Sequence, residues 1–259
     1  MSSSPPLVLT FAAADPTSGA GLQADVLAIA AMGCHPLSVL TGYTVQDTSG
    51  VTALVAVEAR HVRAQAQALL AEMKVSAFKL GVLGSAENAA AVTEILAEHR
   101  DVPVVLDPVL ASGRGDPLSD DELIRALREL VLPRSTLATP NSIEARRLGG
   151  VDALLALGCR YVLVTGTHEP GAEVVNTLYG AAGRIREDRW QRLPGSYHGS
   201  GCTLASSIAA CIALGRDAPD AVAEGQRYTW EALAAGFRPG KGQLIPERLY
   251  AARGRETGR

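Results

Sequence analysis

The chain has 259 residues, 47% of them hydrophobic and only 4% aromatic, so the core of one large α/β domain must be built from Ala, Val and Leu. A formal net charge of −3 offers no basic stripe for a nucleic-acid backbone and no polybasic signal for a membrane surface. Four scattered cysteines without a C-x-x-C pair argue against a zinc site or disulfide framework, and the start "MSSSPPLVLTF" lacks the pattern of a signal peptide, so a reducing cytoplasm is expected.

From the N-terminus, "LVLTF" reads as a first strand, followed by a loop containing Gly19 and Gly21 and by a helix within "AAADPTSGAGLQADVLAIAAMG". A dinucleotide fold would place G-x-G-x-x-G in that loop and a P-loop kinase G-x-x-x-x-G-K-[ST]; neither is present there or elsewhere in the chain. Asp25, inside the helix start, reads first as an acid that complements the helix dipole. "LSVLTGYTVQD", "FKLGVL", "VPVVLDPVL", "TLATPN" and "YVLVTG" are further strands spaced by helical patterns. "VTALVAV", "VVNTLYG" and "GRIREDRW" read as additional, antiparallel strands. The alternation predicts right-handed βαβ crossovers and a mostly parallel sheet with helices on both faces. Ligands then gather outside the carboxyl ends of the strands, where the sequence collects Asp15, Gln46, Asp47, Asp107 and Asn141. No repeat or linker interrupts the pattern, so residues 1–259 are expected to form one domain, with flexible tails over residues 1–6 and from about residue 252 to the end.

Three stretches carry candidate chemistry. Asp107 ends a strand and Asn141 and Glu144 follow another; oxygen ligands at neighbouring strand ends suit Mg2+ held partly through water and phosphates. The same Asn141/Glu144 spacing is equally that of a helix N-cap with its N3 acid. Lys241, in the glycine-rich "RPGKGQLIP", is either a solvated charge or the flank of a nucleotide site. Last comes "YHGSGCTLASSIAACIAL", where Leu204, Ile208, Cys211 and Ile212 recur at helical spacing after Gly199 and Gly201. A helix starting near Ser200 to Thr203 presents unpaired N–H groups and a partly positive end, which suits a phosphate and would stabilise a thiolate at Cys202. Cys202 could instead be a buried filler, or a nucleophile activated by His198, although a thiol hydrolase leaves Asp107, the Asn141/Glu144 pair and the Lys241 loop without a task.

Together "DPTSGAGLQAD", "TVQDTSGV", "KLGVLGS", "VVLDPVLASGRGDPLSDDE", "LATPNSIEA" and "HGSGCTLASSIAA" resemble, in order and style, the hydroxymethylpyrimidine and phosphomethylpyrimidine kinases of thiamine biosynthesis, from about Leu7 to about Pro246. The resemblance implies a ribokinase-like three-layer αβα sandwich with a mostly parallel central sheet and a few extra antiparallel edge strands. It further implies ATP and Mg2+ as cofactors, and a homodimer. The expected reaction is phosphorylation of 4-amino-5-hydroxymethyl-2-methylpyrimidine and/or its monophosphate, giving the pyrophosphate. Pyridoxal kinase is the alternative on the same scaffold, and a non-catalytic pyrimidine or nucleotide sensor the alternative of another class.

Carried over residue by residue, the resemblance makes Gly199, Ser200, Gly201 and Cys202 the anion hole for the transferring phosphoryl group. Asp107, Asn141 and Glu144 would hold Mg2+ and nucleotide phosphates, with Thr165 and Lys241 at the ATP site. The pyrimidine would lie near Ala13 and Asp25, with Gln46 on its aminopyrimidine edge and Val82 and Val109 against the ring. A glutamine amide carries both a donor and an acceptor, which suits that edge. The chain departs from the family pattern at Thr165, where a lysine is usual, at Ala13 (glycine) and Val82 (methionine), and in a short Leu148–Gly158 segment.

Overall fold

The computed structural model describes residues 4–112 and 115–253. Its nine strands form one sheet in the order β3-β2-β1-β4-β5-β6-β7-β8-β9. The six central strands are parallel: β2 (His35–Asp47), β1 (Leu7–Ala14), β4 (Ala77–Leu80), β5 (Val104–Leu106), β6 (Leu137–Ala138) and β7 (Tyr161–Val164). The three additional strands lie antiparallel at the edges, β3 (Gly50–Ala56) beside β2, and β8 (Glu173–Gly180) and β9 (Gly183–Gln191) beyond β7.

Period-two side-chain alternation divides the core into two layers. Leu9, Phe11, Phe78, Leu80, Val104, Leu106 and Val162 point to one face, under α2 (Ala59–Leu70), α3 (Ala86–Glu98) and α4 (Asp121–Ala126). Val8, Ala77, Val105, Leu137 and Leu163 point to the other, under α1 (Gly21–Ala31), α7 (Ser200–Ala213) and α8 (Ala218–Ala234). The result is the αβα sandwich expected from the alternating sequence. Two six-residue helices, α5 (Ser142–Arg147) and α6 (Val151–Ala156), occupy the short stretch between β6 and β7.

The chain leaves β1 toward β2 and later returns to β1's other side as β4, so the strand order reverses between β1 and β4. At such a reversal the loops on either side diverge and leave a crevice at the strands' carboxyl ends. Of the expected flexible tails, residues 1–3 and 254–259 lie outside the described residues. Within the described parts, Pro6 O accepts from His35 N at 2.9 Å, and residues 252 and 253 belong to α9 (Tyr250–Arg253), where Arg253 pairs with Glu247.

Candidate active site

A cavity of about 470 Å3 opens at the carboxyl ends of the strands and is lined by Ala13, Gln46, Val82, Asp107, Val109, Asn141, Glu144, Thr165 and Gly199 to Cys202. Asp15, at the end of β1, organises one side of it. Its carboxylate accepts from Thr17 N at 2.8 Å, Ala20 N at 2.8 Å and Thr17 Oγ1 at 2.9 Å, and His198 Nε2 lies 2.7 Å from Oδ2. Burial alone would raise the Asp15 pKa, but hydrogen bonds from His198, Gln46, Thr17 and Ala20 outweigh it and hold the group well below its ordinary value. Asp15 therefore stays ionised and ties the loop after β1 to the segment before α7. His198 faces Asp15 and Gln46, whose Nε2 is 3.2 Å from the same ring nitrogen, so it is engaged away from the activating role that a thiol hydrolase would need.

The glycine-flanked stretch folds as an open helix start. Gly199 sits just before α7 in the left-handed region at φ 79°, and a Cβ there would lie 1.9 Å from Gly19 O. Only glycine fits such a position. α7 runs 14 residues, long enough for aligned peptide dipoles to place partial positive charge at Ser200, Gly201 and Cys202 beside the cavity. Cys202 departs from the expected stabilised thiolate. Burial pushes its thiol up to about 12, against the opposing effect of Lys79 and with the neighbouring charge of Asp107 adding to the rise. At neutral pH the residue is a neutral thiol, not a nucleophilic thiolate.

Asp107, one residue past β5, combines the features a cation requires. Its Oδ2 is buried without a hydrogen-bond partner, and burial raises its pKa to about 6, partly offset by Lys79. Such an orphaned oxygen facing a cavity suits a hard cation completed by water and phosphate oxygens. Among the described residues no group of three His, Cys, Asp or Glu side chains forms a metal cluster, so most of the coordination shell would come from substrate and solvent.

Asn141 and Glu144 line the same cavity but also build the capping box. Asn141 Oδ1 accepts from Ile143 N and Glu144 N, both at 2.9 Å, and Glu144 Oε2 accepts from Asn141 N at 2.9 Å. The second Glu144 oxygen accepts from Leu110 N at 3.3 Å, which ties the loop after Asp107 to α5. Burial, and then the charge of Asp107, push Glu144 up to about 8. Thr165 continues β7, with its N–H on Pro140 O at 3.0 Å, and borders the cavity's far end with Thr167, His168, Asn176 and Trp190.

Two expected site residues lie elsewhere. Asp25 is fully buried beneath the cavity floor, where its carboxylate accepts from Lys79 Nζ at 2.8 and 2.9 Å, Ser206 Oγ at 2.8 Å and Thr10 Oγ1 at 2.7 Å. With those partners it serves a buried network rather than a substrate. It is also not in the first turn of α1, so it does not cap that helix. Lys241 does not border the cavity: Gly242 N and Gln243 N bond to Thr48 Oγ1 and Thr48 O at 3.0 and 2.9 Å. Those bonds draw the loop over the β2–β3 turn and leave the lysine in solvent, the other reading of its sequence context. Conversely, Asp15 is visible in the sequence only as one of several strand-end polar residues, and Lys79 and Arg248 are not among the sequence's candidate site residues. Lys79 carries a signal, a cation inside the apolar run "AFKLGV", whereas Arg248 lies 45 residues or more from the groups its side chain bonds, and no local pattern links them.

A family profile described as Phosphomethylpyrimidine kinase matches residues 15–246. The chain is 39% identical to a hydroxymethylpyrimidine/phosphomethylpyrimidine kinase of Streptomyces coelicolor, with 92% of each chain covered. Among solved structures, a phosphomethylpyrimidine kinase from Clostridium difficile aligns with TM-score 0.76 and 31% identity over 88% of this chain and 99% of that one. An ADP complex of Bacillus subtilis pyridoxal kinase aligns with TM-score 0.86 and 25% identity over 96% and 99%.

Proposed function

Since the chain belongs to the phosphomethylpyrimidine kinase family, we propose that it transfers the γ-phosphoryl group of ATP to 4-amino-5-hydroxymethyl-2-methylpyrimidine and to its monophosphate, the latter giving the pyrophosphate. The observation that carries this reading is the helix start at Gly199 to Cys202, open to the same cavity as Gln46 and Asp107. Gln46 offers an amide to the aminopyrimidine edge, while Ala13, Val82 and Val109 supply apolar contact for the ring. The main-chain N–H groups at the start of α7 are fixed donors aimed into the cavity, where charge builds on the phosphoryl oxygens during transfer.

Mg2+, held through Asp107 with Glu144 fixing the adjoining loop, would supply positive charge to the phosphate oxygens. The acceptor oxygen forms the new bond to phosphorus as the bond to ADP breaks, and the proton of a hydroxymethyl acceptor leaves to a phosphoryl oxygen or to water. A phosphate monoester acceptor arrives as an anion and needs no base. Cys202, held as a neutral thiol, adds no negative charge where that second phosphate must enter. Thr165, Thr167 and Asn176 give the far end of the cavity a polar wall for the nucleotide, without the family's usual lysine.

Pyridoxal kinase is the second reading, supported by the overlap with the Bacillus subtilis enzyme. Phosphorus NMR of the products tests both. Pyrophosphate signals from the pyrimidine monophosphate are expected; a pyridoxal phosphate signal alone would overturn the pyrimidine assignment. We assign the protein to the cytoplasm, consistent with four free, buried cysteines. We also propose a homodimer formed through the β2–β3 edge, where Tyr43, Val45 and Val55 are exposed on one face. A concentration-independent monomer in sedimentation would contradict it.

A further inference from the structure

Arg248 lies just beyond the stretch matched by the family profile and is only 2% exposed. Its main chain is fixed to α8: Tyr228 Oη donates to Arg248 O at 2.8 Å, and the preceding Glu247 N donates to Ala232 O at 2.9 Å. From there the side chain reaches the loop after β1 and the start of α7, two segments whose residues Ala20, Gly21, Gly199 and Ser200 line the cavity. Nε donates to Thr203 Oγ1 at 2.9 Å, Nη1 to Ser18 O at 3.3 Å, and Nη2 both to Gly19 O and, at 3.5 Å, to Gly199 O. Thr203 Oγ1 itself donates to Gly199 O at 2.8 Å, so the guanidinium and the hydroxyl hold the left-handed residue from two directions.

These acceptors are all neutral, which makes Arg248 a buried cation held by carbonyls and a hydroxyl, and burial pulls its pKa below the ordinary value. A charge buried in this way costs stability. What it accomplishes is local: the carbonyls of Gly19 and Gly199 converge on one nitrogen, and their partial negative charges would otherwise face each other across a contact with no room for a Cβ. A planar guanidinium can address both loops at once, whereas a lysine ammonium, one compact nitrogen, cannot span them.

We propose that Arg248 is a positioning residue for phosphoryl transfer, which locks the acceptor-side loop at Ser18 and Gly19 to the phosphoryl cradle at Gly199 to Thr203. The inference rests on the kinase reading above. By fixing the separation of the two loops, Arg248 sets how closely the acceptor oxygen approaches the phosphorus, and a loosened register lets water take the acceptor's place.

The test compares the unaltered protein with Arg248→Met and Arg248→Lys, measuring ADP and phosphorylated pyrimidine separately at saturating ATP and pyrimidine monophosphate. In Arg248→Met we expect kcat for pyrimidine phosphorylation to fall roughly 100-fold, as for a displacement of about 1 Å between reacting groups, with KM for ATP little changed. ADP should then form in excess of product as the phosphoryl group passes to water. Arg248→Lys should fold, lose less kcat, and still show excess ADP. A loss of folded protein alone would lower both products together and leave their ratio unchanged. Stoichiometric ADP in both variants, or in Arg248→Lys alone if Arg248→Met does not fold, would overturn the inference. If the unaltered protein turned over no pyrimidine, the kinase reading would fall and this inference with it.

Discussion

Cys202 shows how burial can reverse a reading based on local sequence. A helix start favours a thiolate, yet removal from water outweighs both that effect and the nearby Lys79, and the thiol rises to about 12. Its neutrality matters because Asp107 already places one carboxylate beside it. Replacing Cys202 with Asp would set a second charge there, and like charges about 4 Å apart repel by on the order of 4 kcal/mol near a protein surface. We therefore expect Cys202→Asp to lose kcat/KM for the pyrimidine monophosphate by roughly tenfold or more beyond its loss for the unphosphorylated pyrimidine. Equal losses in steady-state assays would contradict the charge argument. Glu144 makes a second residue-level test. Its ordinary value is 4.5 and its folded value about 8, so below 4.5 the group is protonated in both states and carries no penalty. As pH rises toward 8 the unfolded chain releases the proton while the folded chain keeps it, so stability falls over that window. Thermal melts of the Mg2+-free protein should show Tm declining there, and Glu144→Gln should flatten the decline between about pH 6 and 8. An unchanged slope in the variant would contradict the assignment.

The elements that meet at the cavity differ in how plainly the sequence announces them. α7 and its glycines were legible because the signal is local: helical spacing begins directly after Gly199 and Gly201. Gly199→Ala would add the left-handed penalty of about 1–2 kcal/mol to a collision with Gly19 O. We expect kcat/KM to fall by more than about 100-fold, the scale of losing a fixed donor to a transition-state oxyanion, and near-normal turnover would show that the cradle does not require this geometry. Asp25 was misplaced for the opposite reason. Its position in a helix start is visible, but the Lys79 that claims it lies on β4, 54 residues away, and no local pattern links them. Lys79→Met would leave Asp25 buried without its counter-charge and is expected to cost about 3–5 kcal/mol, read as a lower urea midpoint. If the midpoint did not move, the pair would not be a structural node. Lys241 follows the same logic: which hairpin its loop lies against depends on Thr48, far away in sequence.

At the scale of the whole molecule, the αβα architecture was the most legible feature, since alternating strands and helices leave few ways to wind a parallel sheet and its edges carry the three added strands. That winding brings Asp15, Gln46, Asp107, Asn141 and Thr165 from separate strand ends to one cavity, with α7's N-terminus supplied from the layer beneath. The fold alone does not choose between a pyrimidine and pyridoxal, because chains named for both substrates superpose on it. The proposed choice of a pyrimidine rests on the family match, with Gln46, Ala13, Val82 and Val109 as the cavity residues we assign to the ring. Mg2+-dependent ADP formation, measured with hydroxymethylpyrimidine, its monophosphate and pyridoxal as separate acceptors, is therefore the most direct test. We expect turnover of both pyrimidines, with the monophosphate the better acceptor; a preference for pyridoxal, or no turnover with any of the three, would contradict the assignment.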